Sequence, residues 1–344
     1  MTGAAGELGR RVAAALVEAN ECTKVVGIDT KRGDLSGVTW RRADVRDPAL
    51  RTTLAGVDTV VHLATDRRPD AAPVDRRTVN VRGTDNVLDA ARAAGATRVV
   101  LLTSAMVYGA EPNDPAPLPD DAPLRAEPDL SLIGDWVEME RLAGQAGRGR
   151  RRLEVAVVRP APVVGADTDA MLTRLFEAPR LLAIRGTTPR WQFCHVDDLV
   201  TALVWAALRK VDGSFAVAAP GWLPHEEVER ITGLRTVVVP AAMAFATAER
   251  LYRVGVLSAP GSELRYLADP WVVAVDRLTA AGWTARWDNA GALQTHVEAL
   301  GDRLGRGPRL PGKDATRAAA GATVAVLGAV AIARARSARR RRRG

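Results

Sequence analysis

The segment TGAAGELGRRV, residues 2–12, sets Gly3, Gly6 and Gly9 three residues apart immediately before a stretch of helical periodicity. That pattern suits phosphate chemistry. The first glycine permits a tight turn, the second lets backbone approach a pyrophosphate, and the third allows close helix packing, while the helix N-terminus favours negative charge. About twenty residues later the apolar run KVVGID ends in Asp29, where a carboxylate can accept hydrogen bonds from an adenosine ribose. The same charge would repel a 2′-phosphate, so NAD is expected over NADP, although Lys31 and Arg32 stand nearby.

Four apolar runs read as buried strands of a parallel sheet: 24–29, 58–64, 97–104 and 153–160. Between them, residues 7–19 and 84–95 carry helical periodicity, the second ending at Gly95 as a C-cap. Strand and helix in alternation predict an α/β, Rossmann-type, doubly wound parallel sheet with a smaller C-terminal substrate lobe. The expected boundaries are 1–165 plus about 191–218 for the dinucleotide domain, 166–190 and 219–312 for the smaller lobe, and 313–344 for a tail. Only Met1 and Thr2 precede the glycine loop, where such a sheet has its central strand. A strand supplied by residues upstream of Met1 is therefore expected.

Further motifs appear in a fixed order: ADVRD (43–47), HLA (62–64), NVRGTDNVLDAA (80–91), TSAMVYG (103–109), VVRPAPVVG (157–165), HVDDLVTAL (195–203) and AAGWTARW (280–287). With the glycine loop they resemble the extended short-chain dehydrogenase/reductases, the NAD-dependent epimerases and dehydratases of nucleotide sugars. The resemblance implies cofactor contacts from Gly3, Gly6, Glu7, Leu8 and Gly9, from Asp29, from Asp44 and Val45, from Leu63 and Ala64, and from Pro160. Asn80 matches an asparagine of a helix interface, and in HVDD an Asp would cap the next helix while His195 packs near the lobe junction.

In that family the chemistry rests on a Ser or Thr followed by a Tyr and a Lys four residues apart on one helix. Ser104 matches the hydroxyl. On the helix SLIGDWVEMERL, alignment of Glu138 and Glu140 with the acidic pair that follows the family lysine puts Leu132 at the Tyr position and Trp136 at the Lys position. The tyrosines are Tyr108, Tyr252 and Tyr266, and no lysine lies between Lys31 and Lys210, so the chain contains no Tyr-x-x-x-Lys. Leu132, Trp136 and Met139 share one helical face, which predicts an apolar stripe toward the cofactor or plain core packing. Asp135 and Glu138 fall off that face and are expected to be solvated. Arg190 resembles the arginine that holds a sugar-nucleotide phosphate but stands one residue early, with Trp191 at the matching place.

Net charge is +8, but Arg334, Arg336 and Arg339 to Arg343 supply seven of those charges, leaving a body near neutral. Nucleic-acid binding is therefore not expected. Cys22 and Cys194 match no ligand spacing, H-x-D-D at 195–198 is no metal pattern, and no metal is expected. No signal peptide is visible, which with free thiols points to the cytoplasm. Residues 318–333 are sixteen uncharged residues, short of the about 20 of a spanning helix. With the arginines that follow, 318–344 could lie on an anionic membrane at the inner face of the plasma membrane, or form a loose basic tail.

Three functions stay open: an atypical oxidoreductase acting on a small molecule such as a nucleotide sugar, a non-catalytic nucleotide sensor, and a membrane-associated scaffold that uses the Rossmann body without turnover. A homodimer is compatible with each.

Overall fold

A computed structural model describes residues 1–303 apart from 69–70, 149–152, 167, 169–171, 179, 255–256 and 258–259. The apolar runs form strands where their continuity predicts them: β1 (Val25–Asp29), β3 (Thr59–His62), β4 (Arg98–Leu102) and β5 (Glu154–Pro160). An edge strand, β2 (Val38–Arg42), escapes the sequence pattern because it is only half-buried and ends in the two arginines Arg41 and Arg42. Strand β6 (Leu181–Ile184) belongs to the smaller C-terminal region, and β7 (Ser214–Val217) extends the main sheet. The four strands β7-β5-β4-β3 pair in parallel in that order, and β1 pairs in parallel with β2.

Between β1 and β3 lies the place of the central strand, and Met1 and Thr2 occupy it. Ile28 N–H donates to Met1 O at 2.8 Å, Thr2 N–H to Val61 O at 2.9 Å, and Leu63 N–H to Thr2 O at 3.2 Å. The Met1 ammonium is buried against Val26 O at 2.6 Å, and burial lowers its pKa to about 5.

Helices cover both faces of the sheet, as a parallel sheet requires. On one side are α1 (Glu7–Glu18) and, from late in the chain, Val196–Ala207; on the other are α2 (Gly83–Ala94) and α3 (Leu132–Ala146). Gly95, at φ +84°, ends α2 in the left-handed conformation expected of a C-cap glycine. The helix Val196–Ala207, α4, is capped by His195, whose Nδ1 accepts from Asp197 N–H at 3.2 Å. This corrects the expectation of an aspartate cap. Asp198 instead turns its carboxylate to the N–H groups of Arg286 (2.9 Å) and Trp287 (3.2 Å), and Trp287 stacks on His195 at 4.2 Å.

A separate apolar cluster fills the C-terminal region around Phe176, Trp191, Phe193 and Val239, where β6 pairs in parallel with β8 (Thr236–Val239). Trp283, from the AAGW segment, is buried against α4 and donates to Thr201 Oγ1 at 3.0 Å.

Candidate functional site

The carboxyl ends of β1, β3 and β4 open onto two connected concavities. The larger, of about 490 Å³, is lined by Gly3, Gly6, Asp29, Asp44, Val45, Leu63 and Ala64, so seven of the expected cofactor residues meet in one cleft. Gly3 adopts φ +68°, and a Cβ there would lie 2.7 Å from the backbone of Leu63 and Ala64. Gly9 does not line the cleft. A Cβ on it would fall 2.0 Å from Gly3 O, so it allows the loop to lie on the helix. Leu8 packs on the core and Glu7 is exposed in the first turn, away from the cleft lining. At Gly6 a Cβ would meet only Gly3 O, at 3.4 Å, leaving a cradle open to the cleft. No side chain caps α1, so its first N–H groups remain available beside that cradle.

Asp29 has a second task that its position in sequence does not reveal. Its Oδ2 accepts from Ala5 N–H at 3.0 Å and its Oδ1 from Lys31 N–H at 3.3 Å, so it ties the glycine loop to β1. Two Asp-x-Arg pairs follow it around the rim. Asp44 accepts from Arg46 at 2.6 and 2.9 Å, and Asp66 from Arg68 at 2.8 and 3.0 Å. Each arginine holds its aspartate below the usual carboxylate range by hydrogen bonding. His62, beneath this rim, lies between Thr2 Oγ1 (2.7 Å) and Thr84 Oγ1 (3.1 Å), and burial holds its pKa to about 4, so it is neutral at pH 7.

The smaller concavity, of about 50 Å³, brings Ser104, Leu132, Trp136 and Pro160 together with Arg67, Thr103 and Met106. Arg67 lines both concavities. No sequence pattern marks it, although the run TDRR directly after HLA places cations just beyond the third strand. Of the two expectations for that face, Met139 meets the second: it is fully buried in the core and does not line the pocket. Among the described residues the buried Trp136 indole N–H has no acceptor. Ser104 Oγ accepts from Met106 N–H at 3.2 Å, which leaves its O–H free to donate. Arg190 lies apart. Its guanidinium sits 4.8 Å over the Trp222 ring, beside a recess that it shares with Gln192 and Trp271.

Asp135 overturns the expectation of a solvated charge. It is fully buried and accepts from Arg76 (3.0 Å), Arg77 (3.2 Å) and Asn80 (3.2 Å). Asn80 also grips both the N–H (2.7 Å) and the carbonyl (3.0 Å) of Asp66, which fixes the loop after β3. Glu138 remains near the surface, paired with Arg141 at 2.7 Å.

Near Arg76 lies Glu263, whose carboxyl is pushed up to about 8 by burial and by Asp129, with Arg76 opposing. Because the folded state then holds its proton more tightly than the unfolded chain, the stability it contributes falls as pH rises from about 4.5 to about 8. Met1 and His62, whose folded values are lowered, give slopes of opposite sign, so the test is a difference. Glu263→Gln is expected to gain thermal stability relative to the parent between pH 5 and pH 8. Parallel melting curves at the two pH values measure it, and an unchanging difference would contradict it.

Residues 1–218 match the family model described as NAD dependent epimerase/dehydratase family. The chain belongs to that family. Among curated relatives, an uncharacterized protein of Mycobacterium tuberculosis, Rv0501, is 28% identical over 316 residues, covering 88% of this chain and 83% of the relative. A 3-diazoavenalumate denitrifying reductase from a Streptomyces species is 30% identical over 177 residues, 48% of this chain and 57% of the relative. Among solved structures, MoeE5 in complex with UDP-glucuronic acid and NAD is 25% identical at a TM-score of 0.65, covering 88% of this chain and 98% of that one. Among the described residues no helix is long and apolar enough to cross a membrane, and the apolar and arginine-rich stretch 318–344 lies outside them.

Proposed function

We propose that this epimerase/dehydratase family member binds NAD along the 490 Å³ cleft and is an oxidoreductase of atypical chemistry, working without the Tyr-Lys pair. The observation that carries the reading is the Gly6 cradle: a dent in the cleft wall, open to a side chain's volume, next to uncapped helix N–H groups. Backbone donors there would take the pyrophosphate, Asp29 the adenosine ribose, and Asp44 with Val45 the adenine edge. NAD in MoeE5 supports this cofactor class.

The bound cofactor would supply hydride transfer, which asks only for an acceptor held against the nicotinamide. The protein's part at that end is limited. Leu132 and Trp136 exclude water, Pro160 forms a wall, and Ser104 offers one hydroxyl. None of these can serve as a strong acid at neutral pH, so the acceptor has to be one that takes hydride without a proton from a tyrosine. The Streptomyces relative, by name a reductase, supports hydride delivery as the retained chemistry. A nucleotide sugar fits less well than it does in MoeE5, because the pocket is only about 50 Å³ and Arg190 is engaged with Trp222. That small volume also favours a second reading, a sensor that binds the dinucleotide and turns nothing over.

Calorimetric titration of NAD and NADP into the full chain tests the cofactor reading. NAD is expected to bind more tightly than NADP, and Asp29→Asn to narrow the preference about tenfold, or ~1.4 kcal/mol, by removing the charge that opposes a 2′-phosphate. Binding of neither nucleotide to folded protein would refute the reading and favour a scaffold. Single-turnover oxidation of bound NADH by added acceptors then separates reductase from sensor.

A further inference from the structure

Two side chains fix the peptide between Val45 and Arg46, at the wall of the large cleft. Asn86, on α2, donates through Nδ2 to Val45 O at 2.7 Å and to Asp47 O at 2.8 Å, using both of its amide hydrogens. The N–H of the Val45–Arg46 peptide donates to Asp44 Oδ1 at 2.9 Å, so that peptide is held at its carbonyl by the helix and at its nitrogen by the carboxylate. Arg46 closes the arrangement. Its Nε donates to Oδ1 at 2.9 Å and its Nη2 to Oδ2 at 2.6 Å, a two-point grip that fixes the plane of the Asp44 carboxylate. An ionised carboxylate offers about four acceptor sites, two on each oxygen, so Oδ1 is filled and Oδ2 keeps one. One residue on, nothing among the described residues accepts from the Val45 N–H. The turn therefore carries one open acceptor and one open donor on neighbouring residues, and both Asp44 and Val45 line the cleft.

We propose that Asn86 and Arg46 are positioning residues: by fixing this turn they make the cleft select a 6-amino purine over a 6-oxo purine. Adenine presents a donor, its 6-amino group, beside an acceptor, N1, and this is the complement of Asp44 Oδ2 beside the Val45 N–H. Hypoxanthine reverses both, with a carbonyl at position 6 and a hydrogen on N1, so that carboxylate meets carbonyl and N–H meets N–H. Such a mismatch leaves desolvated groups unpaired, but it discriminates only while donor and acceptor stay where they are. Without Arg46 the carboxylate is free to rotate away from a 6-oxo group, and without Asn86 the Val45–Arg46 peptide is free to turn its carbonyl toward N1–H. The inference rests on the NAD reading, since the purine arrives as part of that dinucleotide. It assigns a task to two residues that act through Asp44 and Val45.

The probe is nicotinamide hypoxanthine dinucleotide, which differs from NAD only in its purine, titrated by calorimetry beside NAD into the full chain. The parent protein is expected to bind NAD at least about tenfold tighter. Arg46→Met, at a side chain that is 48% exposed, and Asn86→Ala are each expected to bring that preference to within about threefold, chiefly by weakening NAD. Arg46→Lys keeps the charge but not the two-point grip, and is expected to behave as Arg46→Met. Melting curves establish that each variant is folded; if Asn86→Ala is not, the exposed Arg46 carries the test. A merely structural role would weaken both dinucleotides by one factor and leave their ratio unmoved. Equal affinity of the parent for the two dinucleotides overturns the proposal while the NAD reading stands, and so does a preference that Arg46→Met or folded Asn86→Ala leaves unchanged. Binding of neither dinucleotide overturns both.

Discussion

Glu140→Ala is expected to destabilise the protein by about 3–5 kcal/mol, the cost of leaving a buried cation without its partner. Glu140 and Arg159 meet at 2.6 Å, with side chains only 4% and 7% exposed. Thr103 Oγ1 donates to the same carboxylate at 2.7 Å, and Arg159 reaches on to the Tyr108 hydroxyl at 2.8 Å, which itself donates to Asp120 O at 3.0 Å. The network ties α3 to β4 and β5 directly beneath Ser104. Its loss is therefore expected to lower Tm by roughly 4–8 °C. Replacing both partners, as Glu140→Leu with Arg159→Met, should cost less than Glu140→Ala, since no charge is then stranded. Chemical denaturation of the two variants measures this; a single substitution as mild as a surface change would mean that Arg159 is solvated in the folded protein.

The second large effect falls on binding. Gly6 has an extended backbone, φ −73° and ψ 165°, open to any residue, and the space beyond its Cα is the cleft itself. Gly6→Leu is accordingly expected to leave Tm almost unchanged and to weaken NAD by at least about 100-fold, or ~2.7 kcal/mol. Gly9→Ala makes the contrast. Its Cβ would meet Gly3 O at 2.0 Å, so loop and helix must separate, and stability is expected to fall together with binding. Calorimetry and melting curves on the pair distinguish a blocked cleft from a broken loop. NAD affinity unaffected by Gly6→Leu would place the dinucleotide elsewhere or nowhere on this chain.

Much of the cleft was legible because its requirements are local. A tight turn needs Gly3, a close helix needs Gly9, and an acidic strand end needs Asp29, all within one strand–turn–helix–strand unit of about thirty residues. Continuous apolar runs announced β1, β3, β4 and β5 because strands buried on both faces have no polar alternation. The exposed edge strand β2 has no such run, and went unread for the same reason. The missing Tyr-x-x-x-Lys was likewise settled by the sequence, since no arrangement of this chain can supply that spacing.

What the tertiary structure alone decided are the partnerships between residues distant in the chain. Asp135 looked like a solvated helix charge until folding placed Arg76 against it, 59 positions away. Helical periodicity assigned Met139 to the same stripe as Leu132 and Trp136, but a stripe of about two turns, roughly 10 Å long, outruns a small pocket, and Met139 ended in the core. Arg67 drew no notice because an arginine in a loop carries no pattern; only the meeting of that loop with α3 and the end of β5 sets it beside Ser104 and Trp136. A sequence determines turns and buried strands through neighbours a few residues apart. The pairing of charges and the lining of a pocket depend on which surfaces the packed sheet and helices bring together.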